Sequence, residues 1–296
     1  YEPWGLNFDV IGDVKALKSS YKNENLKNLD LSFDFVDNKL LVRKFKIEAD
    51  AQSQLDLKAN VAVENGGFTY SGDTSFKTQD LAKMVKWLTD VELNPLAPAT
   101  LQTMNGQMSF NGNLQILSVP SYQIKLDNMQ INGSAGMAMV GGYEKLLVAN
   151  VDNWNGDNYL PVLPKVEAEK SLDKRLSYVF RQLDFLKNQN LTLSLNVGQG
   201  VLFHEAFENL SLEAILNNGN LNITQFGISN YLNSSLLMQG IVSGFGDAPK
   251  FENLQYNFDT TDMANALKKL DVRSDYVNWN SIKTFSSKGV MTGDVS

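Results

Sequence analysis

One hydrophobic pattern occurs twice in this 296-residue chain, at a constant offset of 181 positions. Residues 26–61 hold the first copy and residues 207–242 hold the second. After one inserted residue the match continues from residues 76–82 to residues 258–264. The matching apolar positions are Leu40, Val42, Phe45, Ile47, Leu55, Leu57 and Val61 in the first copy, and Leu221, Ile223, Phe226, Ile228, Leu236, Met238 and Val242 in the second. Because the repeat consists of apolar positions rather than reactive groups, it indicates two related sheet segments whose role lies in their surface.

Apolar and polar residues alternate along much of the chain, most clearly in residues 29–35, 55–61, 122–126 and 191–197. Successive side chains of a strand point to opposite faces, so each run predicts a strand with one apolar and one polar face. Buried parallel strands would be apolar throughout. The pattern therefore predicts a mainly β fold, in which an extended, twisted antiparallel sheet forms an open groove and carries a few short amphipathic helices. A closed β-sandwich remains an alternative, because periodicity does not distinguish a filled interior from an open one.

Asn-Gly pairs predict turns between these strands, because both residues tolerate the positive φ of a two-residue hairpin turn. The six pairs begin at Asn65, Asn105, Asn111, Asn132, Asn155 and Asn218. The clearest is Asn218-Gly219, which lies between two strand-like runs and predicts a tight hairpin. Asp37-Asn38 occupies the same place in the first copy.

Three amphipathic segments predict helices, at residues 78–90, 167–187 and 260–270. The first begins at Thr78, which we expect to be its N-cap, and the third is its repeat partner. Such helices would lie across an open edge or end of the sheet. Prolines just before the second segment indicate an internal boundary near residue 165, which gives a first repeat unit at 1–165 and a second at 166–296.

The bulk composition excludes several classes of protein. The formal charge of −7 and the pI of about 4.9 argue against binding to nucleic acid or electrostatic docking onto an anionic bilayer. The absence of cysteine removes thiol catalysis, thiolate metal sites and disulfides. No apolar run approaches the roughly 20 residues of a membrane helix. Because the sequence begins and stops within strand-like patterns, we expect it to be a segment of a longer protein, so that any anchor or export signal would lie outside it.

No group of residues in the sequence suits catalysis or metal binding. His204 is the one histidine, so an ordinary zinc site or a Ser-His-Asp triad is hard to build, and a loop position is expected. Asp152 and Asp157 bracket a Trp-Asn-Gly segment but do not fit a calcium loop, and they are interpreted as turn residues. Residues 196–200 are glycine-rich but lack the lysine and the helix of a phosphate loop. We therefore expect no enzyme activity, no cofactor and no metal.

Residues 146–161 form a strand, an Asp-rich bend and then Tyr-Leu-Pro, and a charged linker follows. Together with the series at 191–197, 207–210, 218–221 and 237–240, this order of elements resembles the AsmA family of bacterial envelope proteins over most of residues 26–270. The chain departs from the family pattern at residues 154–156. The resemblance implies a periplasmic protein that an N-terminal helix, outside this sequence, anchors in the inner membrane of a Gram-negative bacterium. It also implies a gutter-shaped sheet along which phospholipid acyl chains slide between the inner and outer membranes, supporting outer-membrane biogenesis.

These observations lead to a functional expectation of non-catalytic phospholipid transfer along an apolar β-groove. Burial of acyl chains is favourable because each exposed CH₂ costs about 0.8 kcal/mol. The expected partners are phospholipid acyl chains and the inner membrane, without nucleic acid, and protein partners are left open. The candidate groove-lining residues are Leu29, Leu31, Phe33, Leu55, Leu57, Leu210, Leu212, Leu216, Leu236 and Met238. The alternative is a structural or adhesive β-sandwich module of the cell envelope, in which these residues fill a core.

Overall fold

A computed structural model describes residues 9–22, 24–49, 52–64, 67–89, 100–140, 144–159, 177–178, 180–181, 183–202, 204–269 and 282–294. It is mainly β, with one antiparallel sheet that is not closed. This agrees with the open sheet that the alternating pattern predicts and rules out the alternative of a closed sandwich. The described strands are β1 Val10–Ala16, β2 Ser19–Tyr21, β3 Glu24–Val36, β4 Lys39–Ala49, β5 Gln54–Glu64, β6 Gly67–Thr78, β7 Met104–Asn113, β8 Ile116–Leu126, β9 Met129–Ala138, β10 Lys145–Asn155, β11 Asn190–Leu202, β12 Glu205–Asn217, β13 Asn220–Tyr231, β14 Ser234–Ser243, β15 Lys250–Thr260 and β16 Phe285–Asp294. The described α-helices are α1 Leu81–Thr89 and α2 Met263–Lys269, and short 3-10 turns cover Gly156–Asn158 and Asp184–Leu186. Strand order follows chain order from β1 through β3 to β16, and β2 pairs with β3 outside this path.

The chain divides into two compact units, Tyr1–Lys145 and Leu146–Ser296, called unit 1 and unit 2 below. The boundary predicted near residue 165 lies outside the described residues. Both units contain four successive hairpin strands, an α-helix and a further strand: β3–β6, α1 and β7 in unit 1, and β12–β15, α2 and β16 in unit 2. Strands β3 and β12 begin and end 181 positions apart, which is the offset of the sequence repeat. The repeated pattern therefore corresponds to a repeated supersecondary unit.

The alternation of side chains is clearest in β6, where every second residue is exposed and the residues between them are half-buried or buried. Phe76 and Tyr70 are half-buried and lie on one face of the strand, whereas Ser75 and Lys77 are exposed and lie on the other. The neighbouring strand β5 pairs with β6 without a register shift, so the two strands place their apolar side chains on the same face. This is the arrangement of an antiparallel sheet with one polar and one apolar side.

Two hairpin turns follow the sequence prediction closely. Asn218 and Gly219 have φ values of 48° and 75°, and they connect β12 to β13. Asp37 and Asn38, at the same place in unit 1, have φ values of 51° and 59°. Positive φ at both central residues is the mark of the type I′ turn, whose twist matches that of the flanking strands.

The other Asn-Gly pairs do not all form turns. Three pairs, beginning at Asn105, Asn111 and Asn132, lie inside strands β7 and β9, so the turn prediction is wrong there. The pair at Asn155 joins the end of β10 to a 3-10 turn, and the pair at Asn65 lies outside the described residues. Asn-Gly is a local signal, and in β7 a long-range contact determines what the glycine does.

That contact is an aromatic ring from the next strand, which lies over the glycine. In each case the two residues are paired directly across the sheet, and a Cβ on the glycine would approach ring atoms to within 3 Å. The pairs are Gly12–Phe33, Gly72–Phe110, Gly106–Phe76, Gly112–Tyr70, Gly200–Phe207 and Gly289–Tyr256. A glycine alone exposes backbone in a strand, and a ring that covers it restores the packing, as in the aromatic rescue of strand glycines.

Both α-helices begin with the same two-step cap. Thr78 is the last residue of β6, and its Oγ1 accepts a hydrogen bond from the Asp80 N–H at 3.0 Å. Asp80 Oδ1 in turn accepts from the Lys83 N–H at 2.9 Å, so Asp80, and not Thr78 as predicted, is the N-cap. Thr260 and Asp262 repeat this arrangement before α2, with N···O distances of 3.1 Å at both steps.

The helix predicted at residues 167–187 lies mostly outside the described residues. Of its described part, residues 177–178 and 180–181 are helical, and Asp184–Leu186 forms a 3-10 turn.

Helix α1 covers one end of the strands of unit 1. Leu81 is 5% exposed, and its N–H donates to the Gln102 carbonyl at 2.8 Å. Further along the helix, Trp87 Nε1 donates to the Tyr21 carbonyl at 3.0 Å, and the two rings meet edge to face with centroids 6.2 Å apart. The buried residues at this end are Leu26, Ala49, Ser53, Thr78, Leu81 and Thr100. The helix therefore spans from the end of β6 to the β2–β3 hairpin, in agreement with its expected place at an end of the sheet.

The glycine–aromatic pairs provide a test of the register. A Cβ at Gly106 would lie 2.8 Å from Phe76 Cζ and 2.9 Å from the Gln123 carbonyl oxygen, which belongs to the backbone and cannot rotate away. We expect Gly106→Ala to lower the free energy of unfolding by about 1–3 kcal/mol, the usual cost of overpacking. Urea unfolding followed by circular dichroism measures the change.

Gly198→Ala is the matched control, because this strand glycine is exposed and its Cβ would meet one atom, the Asp152 carbonyl oxygen, at 3.2 Å. The control should change stability by no more than about 0.5 kcal/mol. Equal stability of the two variants would contradict the close approach of Phe76 to Gly106.

Candidate functional site

The apolar side of unit 1 consists of rows of side chains that run across strands β3 to β9, perpendicular to the chain direction. Residues in one row are paired directly across neighbouring strands, so their side chains point to the same face. The first row is Leu29, Ile47, Leu55, Phe76, Gly106, Ile124 and Ile131, and the second is Leu31, Phe45, Leu57, Thr74, Met108, Tyr122 and Gly133. A third row holds Phe33, Val42, Ala59, Gly72 and Phe110, and a fourth holds Phe35, Leu40, Val61, Tyr70, Gly112, Leu117 and Met137. We call these four rows the apolar face of unit 1; they contain no charged residue.

The structure brings the five candidate residues of unit 1 together on this face. Leu29 and Leu55 lie in the first row, Leu31 and Leu57 lie in the second, and Phe33 lies in the third. All five side chains are half-buried. Most of the other residues of the four rows are also half-buried, which leaves part of their apolar surface available to a ligand.

A bulge keeps the rows aligned where the alternation of the sequence is interrupted. Val42 pairs with Ala59 and Phe45 pairs with Leu57, so both point to the apolar face although they are three positions apart. Arg43 and Lys44 lie between them and are exposed. The same interruption occurs 181 positions later, between Ile223 and Phe226. A bulge of this kind adds a residue to one strand and re-aims its side chains.

The five candidate residues of unit 2 also share one face, but the protein covers part of that face itself. Leu216 is 3% exposed and Leu210 is 8% exposed, so little of their surface is left for a ligand. Leu212, Leu236 and Met238 are half-buried and pack against two buried clusters. The buried members of these clusters are Val197, Phe207, Leu210, Ile228, Ala214, Ile223, Val242 and Leu254. Unit 2 therefore has a packed core at positions where unit 1 keeps partly exposed rows.

A stacked aromatic pair illustrates how unit 2 covers its face. The rings of Phe180 and Phe245 lie parallel, 5.2 Å apart, and Phe245 is 3% exposed. Phe180 also packs against the buried cluster that contains Leu254. Its backbone carbonyl accepts a hydrogen bond from the Gly246 N–H at 2.7 Å, which fixes the position of the segment after β14.

One tyrosine lies in the second row of unit 1. Tyr122 is 8% exposed, and its burial raises the pKa of its hydroxyl. A tyrosine hydroxyl is neutral in the physiological range, and burial, which disfavours the charged form, moves its pKa further above that range. The row therefore carries no ionised group at neutral pH.

The opposite, polar side of unit 1 carries ion pairs, both between neighbouring strands and within strand β4. Arg43 Nε lies 3.1 Å from Asp34 Oδ1, and Lys46 Nζ lies 2.6 Å from Glu48 Oε1. Asp30 is 7% exposed and accepts a hydrogen bond from Lys44, which lowers the pKa of its carboxyl. These charges stay on the side away from the rows.

Unit 1 also forms two open concavities, with volumes of about 660 and 710 Å³, that sequence reasoning missed. The lining of the second combines residues of the second row, such as Leu57 and Met108, with their polar neighbours. Amide side chains from β5, β7, β8 and β9 line the first, and Gln107 Nε2 donates to Gln123 Oε1 at 3.0 Å. The amides are Gln54, Asn105, Gln107, Gln123, Gln130 and Asn132. The alternating Asn and Gln residues of β7 to β9 were a visible signal of this surface, although not of its curvature.

The sole histidine lies in the turn between β11 and β12, in agreement with the loop position expected from the sequence. The His204 side chain is 93% exposed, and its Nδ1 lies 2.9 Å from Asp157 Oδ2. The His204 N–H also donates to Asp157 Oδ2, at 2.7 Å, so this aspartate stabilises the turn. The described residues contain no group of three or more His, Cys, Asp and Glu side chains arranged to hold a metal ion. Nor does the described part of the chain include a helix long and apolar enough to cross a membrane.

Comparison of the chain with known protein families, with curated proteins and with solved structures finds no match. The AsmA resemblance therefore stays a prediction.

The buried carboxyl on the polar side yields a prediction about pH. Because Lys44 lowers the Asp30 pKa, the stability from this pair is complete above the ordinary aspartate value of about 3.9 and is lost as the pH falls through the lowered value of the folded protein. We expect Asp30→Asn to be less stable than the wild type near neutral pH and to lose less stability on acidification. Urea midpoints at neutral and acidic pH measure both effects. The control is Asp73→Asn, which changes an exposed carboxyl of the same face. An acid-induced loss as large in Asp30→Asn as in the wild type would contradict the role of this pair.

Proposed function

We propose that this protein binds phospholipid acyl chains on the apolar face of unit 1 and transfers them without chemical catalysis. The observation that carries the proposal is the set of four uncharged rows across β3 to β9, whose side chains are mostly half-buried. Partly exposed apolar surface of this extent is typical of a binding site for an apolar ligand. An acyl chain that lies along a row covers the exposed part of these side chains.

The dimensions of the rows suit an acyl chain. Neighbouring strands are about 4.8 Å apart, so a row across seven strands spans roughly 29 Å. The hydrocarbon core of a bilayer, which two opposed acyl chains fill, is about 30 Å thick. One row is therefore longer than a single extended chain, and two adjacent rows accommodate the two chains of one phospholipid.

The face also suits movement of the ligand. Each CH₂ removed from water contributes about 0.8 kcal/mol wherever it lies on an apolar surface, so a chain gains similar free energy at successive positions along a row. A charged residue within the rows would create a barrier, and none is present. The glycines of the rows, such as Gly106 and Gly133, add no side chain that would block the path.

The cellular setting is part of the proposal. The order of elements in residues 146–161, together with the hairpin series of the repeats, supports an AsmA-like protein of the periplasm. In this setting an anchor outside the sequence holds the protein at the inner membrane of a Gram-negative bacterium. The apolar face then carries phospholipid toward the outer membrane and supports its biogenesis.

A second candidate function is a structural or adhesive module of the cell envelope. The packed core of unit 2 favours it, because Phe207, Val197 and Leu254 are at most 2% exposed and no ligand is needed to cover them. The two functions differ in what they require of unit 1. A structural module needs no acyl chain on its rows, whereas transfer requires one.

The absence of cysteine allows a direct test of acyl contact. Leu57→Cys places a single thiol on the apolar face, and Ser75→Cys places one on the polar face of the adjacent strand, next to Thr74, which pairs with Leu57. A bimane fluorophore is attached to each thiol, and the protein is exchanged with phospholipid that carries brominated acyl chains. We expect strong quenching at position 57 and little at position 75, because heavy-atom quenching requires contact.

Native mass spectrometry of the unlabelled protein provides the second measurement and should detect bound phospholipid. Circular dichroism is the control for folding, and both labelled variants should keep the strand content of the wild type. Equal quenching at the two positions, or a protein that acquires no phospholipid after exchange, would contradict the proposed function and favour the structural module.

A further inference from the structure

Four exposed apolar side chains form a tip at one end of unit 1. Leu114 and Ile116 belong to the β7–β8 turn and the start of β8, and Met139 and Val140 follow the end of β9. Their exposed fractions are 68%, 52%, 42% and 64% in this order. We call these four residues the apolar tip. Single exposed apolar residues are common on proteins, but a group of four from two neighbouring loops indicates an interaction surface.

The backbone holds the two parts of the tip side by side. Asn113 Oδ1 accepts hydrogen bonds from the N–H groups of Gln115 and Ile116, at 2.7 and 3.0 Å, and so stabilises the turn. The Gln115 carbonyl accepts from the Met139 N–H at 2.6 Å, and Ile116 pairs with Ala138 at the end of the β8–β9 ladder. The four side chains are therefore presented by ordered backbone.

The sequence around the tip lacks charge. Residues 105–124 and 128–140 contain no Asp, Glu, Lys or Arg, although 20% of the residues of the whole chain are charged. A turn that only faces water is typically polar and rich in turn-forming residues. Exposed apolar side chains within uncharged segments fit a surface that takes up apolar groups, such as the boundary between the headgroups and the acyl chains of a bilayer.

The tip adjoins the end of the apolar face, although the Ile116 side chain points to the other side of the sheet from its neighbour Leu117. Leu117 and Met137, which are paired with each other, end the fourth row beside Ile116 and Ala138. Tyr70, which belongs to the same row, donates a hydrogen bond from its hydroxyl to the Ile116 carbonyl at 3.2 Å. An acyl chain that leaves a bilayer at the tip therefore meets apolar side chains from its first contact with the protein.

We propose that the apolar tip inserts into the surface of a lipid bilayer and places the end of the apolar face where acyl chains enter or leave. This inference rests on the proposed function and names the surface through which lipid is exchanged. The occupant is a zwitterionic or weakly charged bilayer, because a chain of net charge −7 with an uncharged tip gains nothing from anionic headgroups. Attachment comes from transfer of Leu, Ile, Met and Val side chains out of water, and it should persist at high salt.

Vesicle flotation tests the inference. The whole 296-residue chain is mixed with phosphatidylcholine vesicles at low and high salt, and the fraction that floats with the vesicles is measured as a function of lipid concentration. We expect the double variant Leu114→Ser/Val140→Ser to bind the vesicles at least about tenfold more weakly than the wild type, since two large exposed apolar groups are lost. The matched control is Leu237→Ser, which changes a 53% exposed leucine of unit 2 and should bind like the wild type.

Several outcomes would overturn the inference. The first is that the double variant floats as well as the wild type. The second is that binding requires anionic lipid and disappears at high salt. The third is that the wild type does not float at all. The last result, combined with capture of a protein at the tip, would assign this surface to a protein partner.

Quenching at Leu57→Cys, measured in the presence and absence of the tip substitutions, separates this inference from the proposed function. If the label at position 57 is quenched but the protein with an unchanged tip does not float with vesicles, lipid binding on the apolar face is retained and insertion of the apolar tip is rejected. Flotation without quenching would retain the tip and reject lipid binding on the rows.

Discussion

The register of the antiparallel strand pairs is the constraint on which the apolar face of unit 1 depends. A slip of one residue in any pair would move a whole strand's apolar side chains to the polar side and interrupt all four rows. The structure maintains the register across an irregular position in β4, where Val42 and Phe45 both reach the apolar face because a bulge absorbs the extra residue. Ile223 and Phe226 repeat this bulge in unit 2. Its recurrence at the repeat offset shows that the bulge belongs to the fold of the unit.

The two units use the same strand pattern for different degrees of packing. Phe33 is half-buried in unit 1, and its repeat partner Ala214 is 2% exposed within a core cluster. In unit 2 further residues, among them the stacked pair of Phe180 and Phe245, cover part of the face. An alternating strand specifies which face is apolar but not what covers that face. Packed core and partly exposed rows are therefore two outcomes of one pattern.

Much of the fold could be predicted from the sequence because its signals are local. The alternation indicates the strands, and the Asn218-Gly219 and Asp37-Asn38 turns are specified by the residues that tolerate positive φ. The glycines within β7 could not be assigned in this way. Their role depends on rings such as Phe76, which the register brings from another strand. The N-cap of α1 could not be assigned from the sequence for a similar reason. Thr78 and Asp80 are both suitable N-cap residues, and Asp80 takes this place because Thr78 is the last residue of β6.

For the candidate site, sequence reasoning identified the face but not the burial of its members. Leu29 and Leu210 occupy equivalent positions of the repeat, yet one is half-buried and the other belongs to a core cluster, because contacts from outside the repeat differ. The uncharged segments on either side of the apolar tip were visible in the sequence, but their meeting required the pairing of β8 with β9.

The layout of unit 1 gives its apolar face two different ends. Helix α1 covers the ends of the strands near Thr78 and Leu26, where the side chains are buried. The apolar tip stands at the opposite ends of β7 to β9, because antiparallel pairing places Asn113 and Ile116 as far along the strands from Met104 as the ladder extends. Under the proposed function, lipid that enters at the tip meets a closed end at the helix, so its further movement within unit 1 follows the rows across the strands.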